Sequence, residues 1–204
     1  MAMNTDFPKN LILFDDDHWF DILPLTFTRP ICELRVGILT IKEKWEQWLE
    51  GKGSYITQDY LAEKYAINIE KDNLLINSTF MPDATLVHYI KQLKLNQAIL
   101  LGDELIAARI TDEQFGQLSY DKEAFQSLHG LDLIQNTIVS IQRITKPYHI
   151  FSINGVEMQK DFDLITKKRL SQPISKTNQI FGKHPVFLEE GAVMECCIVN
   201  TENG

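Results

Sequence analysis

The sequence predicts an α/β domain on a largely parallel sheet, followed by the first coil of a parallel β-helix. Three observations carry this prediction. Short apolar runs of strand length alternate with amphipathic stretches of helical period, the order in which parallel sheets are covered by helices. The first run, Asn10–Phe14, leads directly into three acids, Asp15–Asp17, as a buried strand does when it ends in a carboxyl-end loop. Residues 180–199 repeat every six instead. Ile180, Val186, Ala192 and Ile198 form one column; Phe181, Phe187, Val193 and Val199 a second; Gly182, Leu188 and Met194 a third. The column Lys183, Glu189, Glu195 is polar. That period belongs to neither an ordinary helix nor a hairpin, and it suits hexapeptide coils of triangular section.

The elements follow in order. After the strand Asn10–Phe14 and a segment punctuated by Pro24 and Pro30, a helix is expected from about Ile38 to Glu50. Ile38, Ile41, Trp45, Trp48 and Leu49 share one face, and Gly51 serves as its cap. A short strand at Ser54–Thr57, a short helix at Tyr60–Ala66 and a strand at Asn73–Ile76 come next. Pro82-Asp83 opens a second helix, with Asp83 as N-cap and Leu86, Val87, Ile90 and Leu93 as its stripe. Strands Gln97–Leu101 and Glu104–Ile110 flank Gly102-Asp103. Residues 111–135 are mixed, Thr137–Ile141 is another strand, and two short helical segments fall at Pro147–Ile153 and Val156–Thr166. Trp19, Trp45 and Trp48 are expected in the core. The boundaries are 8–175 for the α/β domain and 176–204 for the β-helix start. A coil of three hexads takes about 18 residues, so this tail supplies little more than one coil and the chain is expected to be a piece of a longer protein.

Composition narrows the function classes. The 204 residues hold 20 Lys and Arg against 28 Asp and Glu, a formal charge of −8. A general affinity for nucleic acid or an anionic membrane is therefore not expected, while a local basic pocket for phosphate is compatible with that balance. No apolar run reaches the ~18–20 residues of a membrane span, and the N-terminus lacks a signal-peptide pattern. Three cysteines, two of them adjacent, make neither a disulfide framework nor a metal cluster. The expectation is a reduced, cytoplasmic protein.

The segment ILFDDDHWFDILPLT, residues 12–26, followed by FTRPICELRVG, resembles the N-terminal region of sugar-1-phosphate nucleotidyltransferases of the GlmU-like branch. Pro24-Leu25-Thr26 and Pro30 fall where that family has its Pro-Leu-Thr and Pro-Lys segments. Asn77-Ser78-Thr79 falls where it has Asn-Gly-Asp. The resemblance implies a Rossmann-like domain followed by a left-handed hexapeptide β-helix. It also implies transfer of a nucleotidyl group from a nucleoside triphosphate to a sugar 1-phosphate, with Mg²⁺ and release of pyrophosphate. In the longer protein it implies acyltransferase activity and a homotrimer.

The departures bear on the site. The loop Asp15-Asp16-Asp17-His18-Trp19 has no glycine, Ile31 stands where the family has Lys, and Thr79 where it has the metal-binding Asp. Arg29 and Arg35, flanking Pro30, are the candidate catalytic cations, since guanidinium groups bind phosphate bidentately; alternatively they pair with Asp15–Asp17 or Glu33. Asp15 and Asp16 are candidates to hold Mg²⁺ or read a base or ribose edge, or else form a solvated acidic loop. Asn77 ends a strand at the side of the sheet where ligands bind. Asp103 either faces ligand or completes a Gly-Asp turn. Two functions stay open: a nucleotidyltransferase, and a degenerate domain that binds a sugar nucleotide or organises a trimer without catalysis.

Overall fold

The computed structural model describes residues 7–120, 130–135 and 141–202. Strands β1 (Asn10–Phe14), β2 (Lys52–Ile56), β3 (Asn73–Asn77), β4 (Gln97–Leu101), β5 (Glu104–Ile110) and β6 (Asp132–Gln135) form one sheet in the order β2-β1-β3-β5-β4-β6. All run parallel except β5, which pairs antiparallel with both β3 and β4. This is the mixed, mostly parallel sheet of a Rossmann-like α/β domain. β1 and β3 are buried at every position, which is why both read as continuous apolar runs and not as alternating ones.

Helix α2 (Ile41–Leu49) begins three residues later than its apolar stripe suggests, because Thr40 caps it. The Thr40 hydroxyl accepts from Glu43 N–H and the Glu43 carboxylate accepts from Thr40 N–H, a reciprocal capping box. At its end Glu50, not Gly51, takes the left-handed conformation (φ 53°). Gly51 is needed for space instead: a Cβ there would lie 2.8 Å from the Lys9 carbonyl. Trp45 is fully buried, Trp19 is 4% exposed and Trp48 packs partly buried against the same core. Helix α3 (Ala84–Ile90) is capped by Asp83, whose carboxylate accepts from Leu86 N–H at 2.8 Å. The helix expected at 60–66 is only a 3₁₀ turn, Asp59–Leu61, with Leu61 its one buried side chain. So little apolar area does not offset the cost of nucleating a helix. Helix α4 (Asp112–Tyr120) precedes β6. The strand expected at Thr137–Ile141 lies, apart from Ile141, outside the described residues.

The two helical segments expected near the end of the domain are one helix, α5 (Pro147–Thr166). Gly155 does not interrupt it, because its buried face is tied down on both sides. Lys44 of α2, 1% exposed, meets Glu157 at 3.0 Å and Asp161 at closer range. The other Asp161 oxygen accepts from Ile38 and Leu39 N–H at 2.9 and 3.0 Å, and Asn154 accepts from Gly37 N–H. The turn needs Gly37 (φ 85°), since a Cβ would lie 2.6 Å from the Asp161 carboxylate. Asp161 thereby holds the Ile38 and Leu39 amides in the turn that precedes α2.

Beyond α5 the chain folds back over itself. β7 (Gln179–Phe181) pairs parallel with β8 (Ile198–Asn200), Gln179 lying beside Ile198. Leu188 O accepts from Gln172 N–H, and Phe181 O from Thr201 N–H.

Candidate functional site

The chain leaves β1, forms β2 on one side of it, and crosses back to form β3 on the other. The carboxyl ends of β1 and β3 therefore flank the switch point of the sheet, where α/β proteins open a crevice for ligands. Asp15 and Asp16 follow β1 there, Asn77 ends β3, and Asp103 occupies the β4–β5 turn at the same edge.

Asp15 closes the loop that follows β1. One of its oxygens accepts from Ile31 N–H at 3.0 Å, where the loop returns to the body, and the other from the Thr57 hydroxyl beyond β2 at 2.7 Å. Burial pushes its pKa up to about 7, against the opposing pull of Thr57, the Ile31 amide and Ser78. Burial likewise raises the thiol of neighbouring Cys32 well above the ordinary range. Asp16 joins the two strand ends: its carboxylate accepts from Asn77 Nδ2 at 2.8 Å and from His18 N–H at 3.0 Å. Asn77 is 2% exposed and also donates to Leu105 O at 3.1 Å, while its own oxygen accepts from the Thr79 amide and hydroxyl. Within the loop, the Pro24-Leu25-Thr26 stretch is held by the buried Thr26 hydroxyl, which donates to Trp19 O.

The structure thus brings Asp15, Asp16 and Asn77 together and leaves Arg29 and Arg35 outside their contacts. Arg29 is exposed and its guanidinium pairs with no described residue. Arg35 is also exposed; it donates to Ile38 O within its own turn. Asp103 stands exposed in the two-residue turn beside Gly102 (φ 62°). Among the described residues no three His, Cys, Asp or Glu side chains gather as a metal cage. Each oxygen of Asp15 and of Asp16 accepts one protein hydrogen bond.

A charged array unforeseen in the sequence lies across this edge. Helix α1 (His18–Asp21) carries His18, whose Nδ1 lies 3.1 Å from Asp21 and whose Nε2 lies 3.5 Å from Glu104. Asp21 also meets Lys146 at 2.7 Å, and Glu104 meets Arg143. The hydrogen bond from Lys146, then that from His18, hold the Asp21 carboxyl below its usual range. Partial burial raises Glu104, but Arg143 and His18 together bring it below. β3 lies between β1 and β5, so the His18–Glu104 contact joins the segment after β1 to the start of β5, on either side of the strand that ends in Asn77. Only the Gly-Asp turn, which sets Glu104 at this edge, hinted at the array; Arg143 and Lys146 reach it from a part of the chain with no local signal. An open depression of about 1030 Å³ lies between α2 and the end of α5, beside Trp48 and Lys167, and includes none of Asp15, Asp16, Asn77 and Asp103.

No helix among the described residues is long and apolar enough to cross a membrane. No curated protein matches the chain. Residues 11–170 match the family model described as sugar nucleotidyl transferase. That match starts within β1 and ends beyond α5, taking in the rest of the sheet with Asp15, Asp16, Asn77 and Asp103. The chain belongs to the sugar nucleotidyl transferase family.

Proposed function

We propose that this domain binds a nucleoside triphosphate and a sugar 1-phosphate in the crevice and transfers the nucleotidyl group to the sugar phosphate, releasing pyrophosphate. The observation that supports it is the junction of Asp16 and Asn77 at the switch point, inside the family match. In this reading Asn77 and Asp16 offer polar contacts to base or ribose, and Asp103 borders the entrance. Arg29, exposed and unpaired among the described residues, and Arg35 supply positive charge near the Pro30 turn. Mg²⁺ enters as the companion of the triphosphate, since Mg²⁺ is commonly held by one or two carboxylates together with substrate phosphates.

A second reading is favoured by one specific observation. All four oxygens of Asp15 and Asp16 are engaged in holding the loop, which suits a domain that binds nucleotide without turning it over. For residues 176–204 we propose the first coil of a left-handed hexapeptide β-helix. The parallel pairing of Gln179 with Ile198 supports it, matching a coil of about 18 residues. Acyltransferase activity and trimer formation would belong to further coils.

Calorimetric titration with UTP and dTTP tests the nucleotide site. Binding by the wild-type chain is expected, weakened in Arg29→Lys because the bidentate guanidinium geometry is lost while the charge remains. Equal affinities would leave Arg29 without a part in the site, and no binding of these two or of any other nucleoside triphosphate would remove both readings.

A further inference from the structure

Helix α5 turns its charges inward and apolar side chains outward. Glu157 and Asp161 are buried against Lys44 and the turn at Ile38 and Leu39, while Ile150 and Ile153 pack on the core. The opposite face carries Tyr148, Phe151, Gly155 and Met158 at the i, i+3, i+7, i+10 spacing of one helical stripe, with Val156 at its edge. Phe151 is 82% exposed, Tyr148 62%, Val156 53% and Met158 47%. Single exposed apolar residues are ordinary, but a continuous stripe of them marks an interaction surface.

Charge and symmetry select what covers it. Between Lys146 and Lys160 the one formal charge on α5 is Glu157, which is buried. The whole chain carries −8, so two copies repel unless they meet on a neutral face, and this stripe offers a charged partner no ion pair. Pairing a surface with itself about a two-fold axis is the commonest association of soluble chains. Tyr148 and Phe162 lie seven residues to either side of Gly155. Antiparallel helices crossing at Gly155 would therefore set Tyr148 of one copy beside Phe162 of the other, and Phe151 beside Met158. The glycine lets the two backbones approach closely at the crossing.

We propose that α5 is a dimer contact, its stripe packing antiparallel on the same stripe of a second copy with Gly155 at the centre. None of these residues belongs to the crevice. Large free side chains expose on the order of 150–250 Å², so the four apolar ones offer roughly 400 Å² per copy. Phe162 and the neighbouring polar side chains bring the pair near the ~1,000 Å² at which specific contacts begin. A contact of that size is weak, so a chain without the tail would dimerise through it only at higher concentration than tail association needs.

Disulfide trapping in the full chain tests the contact, with Cys196 and Cys197 replaced by Ser so that the one remaining native thiol, Cys32, is buried. Under mild oxidation with copper phenanthroline, Gly155→Cys is expected to form a covalent dimer at least tenfold faster than Glu63→Cys, an exposed position outside α5. Adding Phe151→Asp to Gly155→Cys should cut that rate at least tenfold, since it puts a carboxylate from each copy into the seam. Association through the tails alone would not pair the two Gly155 positions. Equal trapping at 155 and 63, or trapping unmoved by Phe151→Asp, would overturn the dimer contact. So would a Gly155→Cys chain that does not cross-link but floats with phosphatidylcholine vesicles, which would give the stripe to a lipid surface instead.

Discussion

Asp16 and Asn77 meet through a 2.8 Å hydrogen bond across the carboxyl ends of β1 and β3. That single contact ties the loop after the first strand to the strand that returns on its other side. Asn77 serves four partners at once: Asp16, Leu105 O, and the amide and hydroxyl of Thr79. Asn77→Ala leaves buried acceptors and donors unpaired, at a cost of roughly 1–3 kcal/mol. Urea denaturation of the variant should show that loss, and nucleotide affinity should fall with it. Unchanged stability would mean that these bonds do not hold the crevice.

The raised pKa of Asp15 makes a prediction about pH. With its folded value near 7 and an ordinary value of 3.8, the native state binds the proton more tightly than the unfolded chain. The stability Asp15 contributes is full below about pH 4 and is lost as pH rises through 7. Asp15→Asn, which keeps an acceptor for Ile31 N–H and gains a donor toward Thr57, should raise the melting temperature at pH 8 and do so much less at pH 5. An equal effect at both pH values would show that the carboxyl is not burdened by burial.

Buried charge holds α5 in place. Lys44 faces Glu157 and Asp161, all three nearly inaccessible. Lys44→Met would remove the buried cation between two carboxylates, leaving Glu157 only Lys160 and Asp161 only the Ile38 and Leu39 amides, and should cost about 3 kcal/mol. Gly37→Ala should also destabilise, since its Cβ would collide with the Asp161 carboxylate and its φ of 85° disfavours a side chain. Chemical denaturation with a helix signal would read both, and a neutral Lys44→Met would show that the ion cluster is dispensable.

The tail exposes apolar side chains, with Val193 85% and Ile198 74% accessible. Such a surface favours self-association. A chain ending at Gln172 should keep the α/β fold and stay monomeric at concentrations where the full chain associates. Light scattering of the two would decide; loss of folding on truncation would contradict the domain boundary near residue 175.

Much of the sheet was legible because its period is local. β1, β4 and β5 fall where the apolar runs place them, and Asp83 caps α3 as its position before the stripe implies. What escaped the sequence is long-range and polar. The turn before α2 is held by Asp161, which takes the amides of Ile38 and Leu39 from more than a hundred residues away. The segments expected at Pro147–Ile153 and Val156–Thr166 are one helix, since docking by Glu157 and Asp161 cannot be read from spacing. At the site, the edge residues Asp15, Asp16 and Asn77 followed from strand ends. The cations did not: Arg29 and Arg35 are near the loop in sequence, whereas Arg143 and Lys146 reach it only through the fold.

The central claim is nucleotidyl transfer at the carboxyl edge of the sheet, and pyrophosphate release tests it most directly. Wild type and Asn77→Ala would be assayed across a panel of nucleoside triphosphates and sugar 1-phosphates with Mg²⁺. The claim predicts release that requires one triphosphate and one sugar 1-phosphate together, slower than the ~10 s⁻¹ typical of enzymes and strongly reduced in Asn77→Ala. No release from any pair would contradict it.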